Sequence, residues 1–204
     1  ALSSSQLNAL NTKQIASLSA THLVGLSTEN LAFLNSVQLR SLTSSQIAGL
    51  NTAQVLSLNS ASLKALTTRQ IASIESSDVA VLSSAQINAL SSAQVQALNS
   101  IQLNALTSNQ LPSLSTLTLN QLTTSQLISL DGTRLNGLSE STLGALNSAL
   151  LRNLSTSQMG TLTTNSLSSL NSSAVAGFGK DQIAALTTAQ VSKLTTAFVT
   201  AMPS

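Results

Sequence analysis

Aliphatic residues recur along this chain with a period of eight. Stepping by eight from Leu2 lands on Leu10, Leu18, Leu26, Leu34 and Leu42, passes through Ile74 and Leu82, and reaches Phe178, Leu186, Leu194 and Met202. A second aliphatic follows five positions after each of these: Leu7, Ile15, Leu23, Leu31, Leu39, Ile47 and Val55, and so on to Met159, Leu167, Val175, Ile183, Val191 and Val199. No insertion or deletion breaks the register, and the consensus is Leu-(Ser/Thr/Asn)-(Ser/Thr)-x-Gln-(Leu/Ile/Val)-x-(Ala/Ser/Gly). Self-similarity at a fixed period overrides segment-by-segment reading. The chain reads as one solenoid array over residues 1–204, with 25 octapeptide repeats at 2–201 and a short C-terminal tail.

Three geometries compete for such a pattern. In one long helix, each octad would rotate the apolar stripe by about 80°, smearing it around the whole surface. In an extended strand, the odd spacings of five and three send the two aliphatics of an octad to opposite faces, which suits only a sheet buried on both sides. A very short helix in each octad explains more. With the Ser, Thr or Asn after each Leu as N-cap, the Gln three residues later falls at N3 and completes a capping box. Ser3 with Gln6, Thr43 with Gln46, Ser83 with Gln86 and Thr187 with Gln190 are examples. In the same frame the preceding Leu and the second aliphatic form a hydrophobic staple, as in Leu42 with Ile47 and Leu186 with Val191. The next cap arrives eight residues on, which limits each helix to about six residues, and a helix that short does not stand alone. The expected fold is therefore all-α, a superhelical solenoid of short capped helices stacked along a continuous aliphatic seam. A β-solenoid is the alternative.

Departures from the consensus mark local irregularity. Glu75 and Gly179 replace the usual cap, Asp131 is a conservative cap, and Phe178-Gly179-Lys180-Asp181 is the most deviant junction. Pro112 sits inside a repeat, where its ring and missing amide should cut off or kink the helix.

Composition narrows the class. Globular domains carry about 25% charged residues, whereas this chain carries 7%, with 42% hydrophobic residues and three aromatics, Phe33, Phe178 and Phe198. The core must be thin and aliphatic. Eight basic and six acidic residues are scattered singly, so the pI near 9.5 reflects scarcity of charge, and no basic patch points to nucleic acid. No apolar run approaches the ~20 residues needed to cross a bilayer, and so few cations cannot build a membrane-surface face. The first residues lack the basic and apolar regions of a signal peptide, as in a mature product or fragment. Cysteine is absent, which removes disulfides, thiol nucleophiles and cysteine metal sites.

Candidate chemistry is sparse. His22 is the only histidine and stands where most repeats carry Gln. A triad or histidine metal site needs partners, so a substituted surface position is the simpler reading. Glu75 and Asp78 fall at N-cap and N3, where acids favour the positive helix end. Gly179-Lys180 lacks the flanking residues of a phosphate loop, and Asp131-Gly132 lacks the further ligands of a calcium loop. The serines recur evenly as caps, whereas a nucleophile would be singular. No catalytic, cofactor-binding or metal residue is expected, and no cofactor; the chain is not expected to be an enzyme.

Segments such as LTTAQVSKLTTAF at 186–198 and LSSAQINALSSAQVQAL at 82–98 resemble octapeptide arrays of large bacterial secreted or cell-surface proteins. The resemblance covers the whole chain and implies an extracellular or cell-surface location and a scaffold role. The expected function is a stalk, adhesin spacer or self-assembling filament subunit, whose partner is itself through end-to-end or lateral association. A second expectation is a repetitive binding module presenting rows of Ser, Thr, Asn and Gln to a glycan, a protein or ice.

Overall fold

The computed structural model describes residues 3–202. Leu2, which opens the aliphatic register, and the end of the C-terminal tail lie outside the described residues. Framed from cap to closing aliphatic, octad 1 is Ser3–Leu10 and octad 25 is Thr195–Met202. Among the described residues there are 24 α-helices of four to six residues, one in each octad but the fourteenth, and no strand. The helical reading holds and the β-solenoid is overturned.

Each octad is built by its own sequence. The N-cap is extended, as at Thr43 with φ −73° and ψ 159°, and its hydroxyl accepts the N–H of Gln46 while the Gln46 side chain takes the N–H of Thr43. This satisfies two of the orphan amides at the helix start. The helix ends when the closing Leu turns extended, as at Leu42 with φ −61° and ψ 137°. Two consecutive extended residues therefore reverse the chain between helices. No described residue has a positive φ, which is why the repeat needs no conserved glycine at its corner. Pro112 acts as expected: octad 14 forms only a 3-10 turn at Leu111–Ser113.

Contacts group the chain into two compact units, Ala1–Leu106 and Thr107–Ser204. In the first, helix Thr12–Ser17 packs on Ser36–Ser41, and Thr68–Ser73 packs on Ser92–Ala97. In the second, Gly132–Asn136 packs on Thr156–Thr161, and Ser172–Val175 on Thr196–Ala201. Every one of these pairs is three octads apart. The N4 aliphatic of each octad forms the seam, with exposure between 0% and 3% from Leu7 to Val175. The closing aliphatics, such as Leu42, Leu58 and Leu106, are buried beside it.

Backbones three octads apart approach closely where a side chain is missing. A Cβ on Gly144 would stand 2.5 Å from the carbonyl oxygen of Ser169, whereas one on Gly160 would stand 3.3 Å from that of Ala185. Gly144→Ala should therefore destabilise the chain by about 1–3 kcal/mol, read as a lower urea midpoint, with Gly160→Ala costing less. Equal stability of the two variants would contradict this packing.

Candidate functional site, a glutamine clasp between coils

The recurrent polar residue at N3 joins one coil to the next. In octad 7, Gln54 Oε1 accepts the N–H of Asn51 at 3.1 Å, and Asn51 Oδ1 accepts the N–H of Gln54 at 3.0 Å. The Nε2 of the same side chain donates to the carbonyls of Leu23 at 2.7 Å and Leu26 at 2.9 Å, 31 and 28 residues earlier. Those carbonyls lie in and just past the last turn of helix Ala20–Val24, four octads back; that of Leu23 also accepts the N–H of Leu26 at 3.0 Å. The carbonyl of Gln54 in turn accepts from the Ser57 hydroxyl at 2.7 Å. Gln54 is only 1% exposed.

The arrangement repeats. Gln38, Gln46, Gln70, Gln94 and Gln102 take the equivalent pair of carbonyls in the first unit. Gln158, Gln182 and Gln190 do so in the second. Packing at three octads and clasping at four place between three and four octads in each turn of coil within a unit.

Only glutamine does this. Its amide oxygen serves the cap while its amide nitrogen supplies two donors. A capping box alone is equally served by Glu, yet 14 of the 25 octads carry Gln at N3 and none carries Glu. That exclusion was the available sequence signal for a buried donor. The glutamine row expected at the surface is thus buried from octad 5 onward wherever it recurs. An exposed polar face is left to hydroxyls such as Ser36, Thr52, Thr68 and Ser92.

Where N3 is not Gln, other groups step in. Octads 19 and 21 carry Leu150 and Ser166 at N3. There the cap N–H of Asn147 goes to Asn120 Oδ1 at 3.0 Å, and that of Thr163 to Asn136 Oδ1 at 2.8 Å. The same two asparagines donate to the carbonyls of Ala145 and Thr161. Asp78 is a harder case. It is 3% exposed and accepts from the Thr52 hydroxyl at 2.8 Å, but its side chain has no amide N–H to offer a carbonyl. Its cap residue, Glu75, makes no side-chain cap bond.

The remaining candidates are dispersed. His22 lies exposed on helix Ala20–Val24, its Nδ1 accepting the N–H of Ser19 at 3.4 Å in a glutamine-like box. Among the described residues, no cluster of three or more His, Asp or Glu side chains could hold a metal. Asp131 caps its helix through the N–H of Arg134 at 2.9 Å. Hydrogen bonds from the Thr133 hydroxyl first, and then from that N–H, hold its carboxyl below the usual carboxylate range. At Gly179 the cap N–H still donates to Gln182 Oε1, at 2.8 Å. No helix among the described residues is long and apolar enough to cross a membrane.

Short capped helices, tied by recurrent buried glutamines to the octad four places earlier, define a helical repeat solenoid. The chain belongs to the ALTTAQ repeat family, whose model matches residues 23–60, 71–108 and 164–196. No curated protein matches it. The family model passes over residues 109–163, where N3 is Gln only at 110, 126 and 158, yet the octad helices continue through that stretch.

Removing the Gln54 clasp leaves the carbonyl of Leu26 and the cap amide of Asn51 without these partners, at about 1–3 kcal/mol for each orphan group, whereas the carbonyl of Leu23 keeps the N–H of Leu26. Gln54→Ala should cost about 2 kcal/mol or more in chemical unfolding. In Gln54→Glu, burial and the two facing carbonyl oxygens raise the folded-state pKa of the introduced carboxyl above its unfolded value of about 4.3. The protonated acid is the form that fits. The penalty should therefore be smallest below about pH 4 and grow as pH rises toward the folded pKa; a pH-independent penalty would contradict the clasp. Asp78→Gln should supply the missing donors and raise the melting temperature, with about 1 kcal/mol gained.

Proposed function

We propose that this chain is a non-enzymatic structural scaffold of the bacterial cell surface or extracellular matrix, a stalk, spacer or filament segment built of octads. One observation carries the reading: the recurrent N-cap, N3 and pre-closing polar side chains are taken up by backbone groups, leaving the N1 hydroxyls such as Ser36 and Thr52 at the surface. The N-cap oxygen takes an amide of its own helix. The N3 glutamine takes its cap and two carbonyls of an earlier coil. The serine before the closing aliphatic takes the N3 carbonyl, as Ser41, Ser57 and Ser73 do at 2.7 to 2.8 Å. A binding protein or enzyme sets aside polar side chains for its ligand; here the N-cap, N3 and pre-closing side chains are invested in the backbone of their own and earlier octads.

Two further properties support the assignment. Stability assembled from identical neighbour terms lets such an array change length by whole octads without redesign of any site. A chain without cysteine is also free of unwanted cross-links in an oxidising exterior. Location is tested with an antibody against the chain, applied to intact cells of its native source and to fractionated cells and medium. Labelling of intact cells, or recovery from the medium, is the expected result; confinement to the cytosolic fraction would overturn the surface assignment.

A further inference from the structure

Packing of each helix on the one three octads later sorts the first unit into three stacks. Helices Thr28–Ala32, Thr52–Ser57, Ser76–Val79 and Ser100–Ala105, of octads 4, 7, 10 and 13, form one of them. Helices Thr12–Ser17, Ser36–Ser41, Ser60–Ala65 and Ser84–Asn88, of octads 2, 5, 8 and 11, form another. Charges that look scattered along the sequence are collected by sign on these stacks. All three acidic residues of the unit, Glu29, Glu75 and Asp78, fall in octads 4 and 10, and the octads of that stack carry no Lys or Arg. Lys13, Arg40 and Lys64 fall in octads 2, 5 and 8, a stack without Asp or Glu. All of these side chains are exposed except that of Asp78.

Stability of a single chain does not explain this segregation. Neighbouring charges stabilise a helical surface when their signs alternate, as Asp131 and Arg134 do in the second unit, 3.8 Å apart in one octad. Here Arg40 and Lys64 hold the same position on two helices packed together, and Arg40 Nε reaches the carbonyl of Ala65, beside Lys64, at 2.9 Å. Apolar exposure follows the acidic stack. Of the six large hydrophobic side chains exposed among the described residues of the unit, four lie on it: Phe33, Leu56, Val81 and Ile101, between 39% and 70% exposed. The first three stand at or just past the C-terminal ends of three successive helices, and apolar groups gathered in this way mark an interaction surface. The basic stack exposes Val37.

Resting on the scaffold reading, we propose that copies of this chain pack side by side, the acidic, apolar stack of one against the basic stack of the next. Charge complementarity selects a second copy as the occupant, because the chain carries both faces. Glu29 and Glu75 of one copy meet the cations of Lys13, Arg40 and Lys64 of the other, which steers and orients the encounter. The aliphatic stems of those cations, with Val37, cover Phe33, Leu56 and Val81. Two acidic stacks, or two basic ones, would oppose like charges. The contact is heterologous: each copy that joins uses one face and leaves the other open, so copies add in succession.

The test uses the 204-residue chain, sedimentation velocity up to about 1 mM, and two charge-reversed variants checked for helicity by circular dichroism. One carries Glu29→Lys with Glu75→Lys, the other Lys13→Glu with Lys64→Glu. All four side chains are exposed and Glu75 makes no cap bond, so the fold of each variant is retained. The parent should associate, less so in about 0.5 M salt, and each variant alone should associate at least about tenfold more weakly. An equimolar mixture of the two variants should recover association, since every stack of one then faces its opposite charge on the other. A parent that is monomeric throughout overturns the pairing and leaves the scaffold reading standing, because a spacer needs no lateral partner. Association of parental strength in either variant alone, or a mixture that fails to recover it, also overturns the pairing, since the contact then lies elsewhere.

Discussion

The structure depends on one side chain whose two ends do different work. A glutamine at N3 is anchored by its oxygen to the cap of its own helix and by its nitrogen to a helix C-terminus about thirty residues earlier, as Gln102 does to Ile71 and Ile74 at 3.0 and 2.7 Å. A helix of four to six residues leaves most of its amides and carbonyls without intrahelical partners. Caps deal with the amides from within the octad. Some carbonyls also find donors within the octad, as those of Gln54 and Val55 do in Ser57 and Leu58, but the carbonyl of the closing aliphatic, as at Leu26, is met from a later coil by the glutamine nitrogen. The glutamine therefore couples helix formation to coil closure: neither is stable without the other, which is the cooperative condition of a solenoid.

That coupling explains how the second unit tolerates so many departures. Where Leu150 and Ser166 replace the glutamine, the exposed demand is the cap amide, and Asn120 and Asn136 meet it from a different position of an earlier octad. The requirement is a satisfied backbone, not a particular residue, so the donor moves while the backbone path stays. Gly144 and Gly132 fit the same account, since a Cβ at either would collide with the octad three places on, at Ser169 and Thr161.

Much of the fold was legible because its determinants are local. A cap oxygen, the N3 side chain and the staple all lie within six residues of one another, so Thr43, Gln46, Leu42 and Ile47 announce their helix without reference to the rest of the chain. Pro112 likewise acts within its own octad. The burial of the glutamines was not read, since a capping residue on an isolated helix faces solvent. The absence of Glu from every N3 position was the trace that such a row leaves in sequence. Asp78, read as a favourable acid at a helix start, proved to be buried against Thr52 in a donor's place.

The sequence by itself determined the period, the helix in each octad, its start and stop, and the aliphatic seam, because each of these is an interaction between residues at most eight apart. The tertiary structure alone decided how many octads make a turn, which carbonyls each glutamine takes, and which polar rows remain at the surface. Those follow from contacts 24 to 31 residues apart, such as Gln54 to Leu23 and Arg40 to Ala65. A perfectly repeating sequence offers the same partner at every multiple of eight, and only the closing of the coil selects among them.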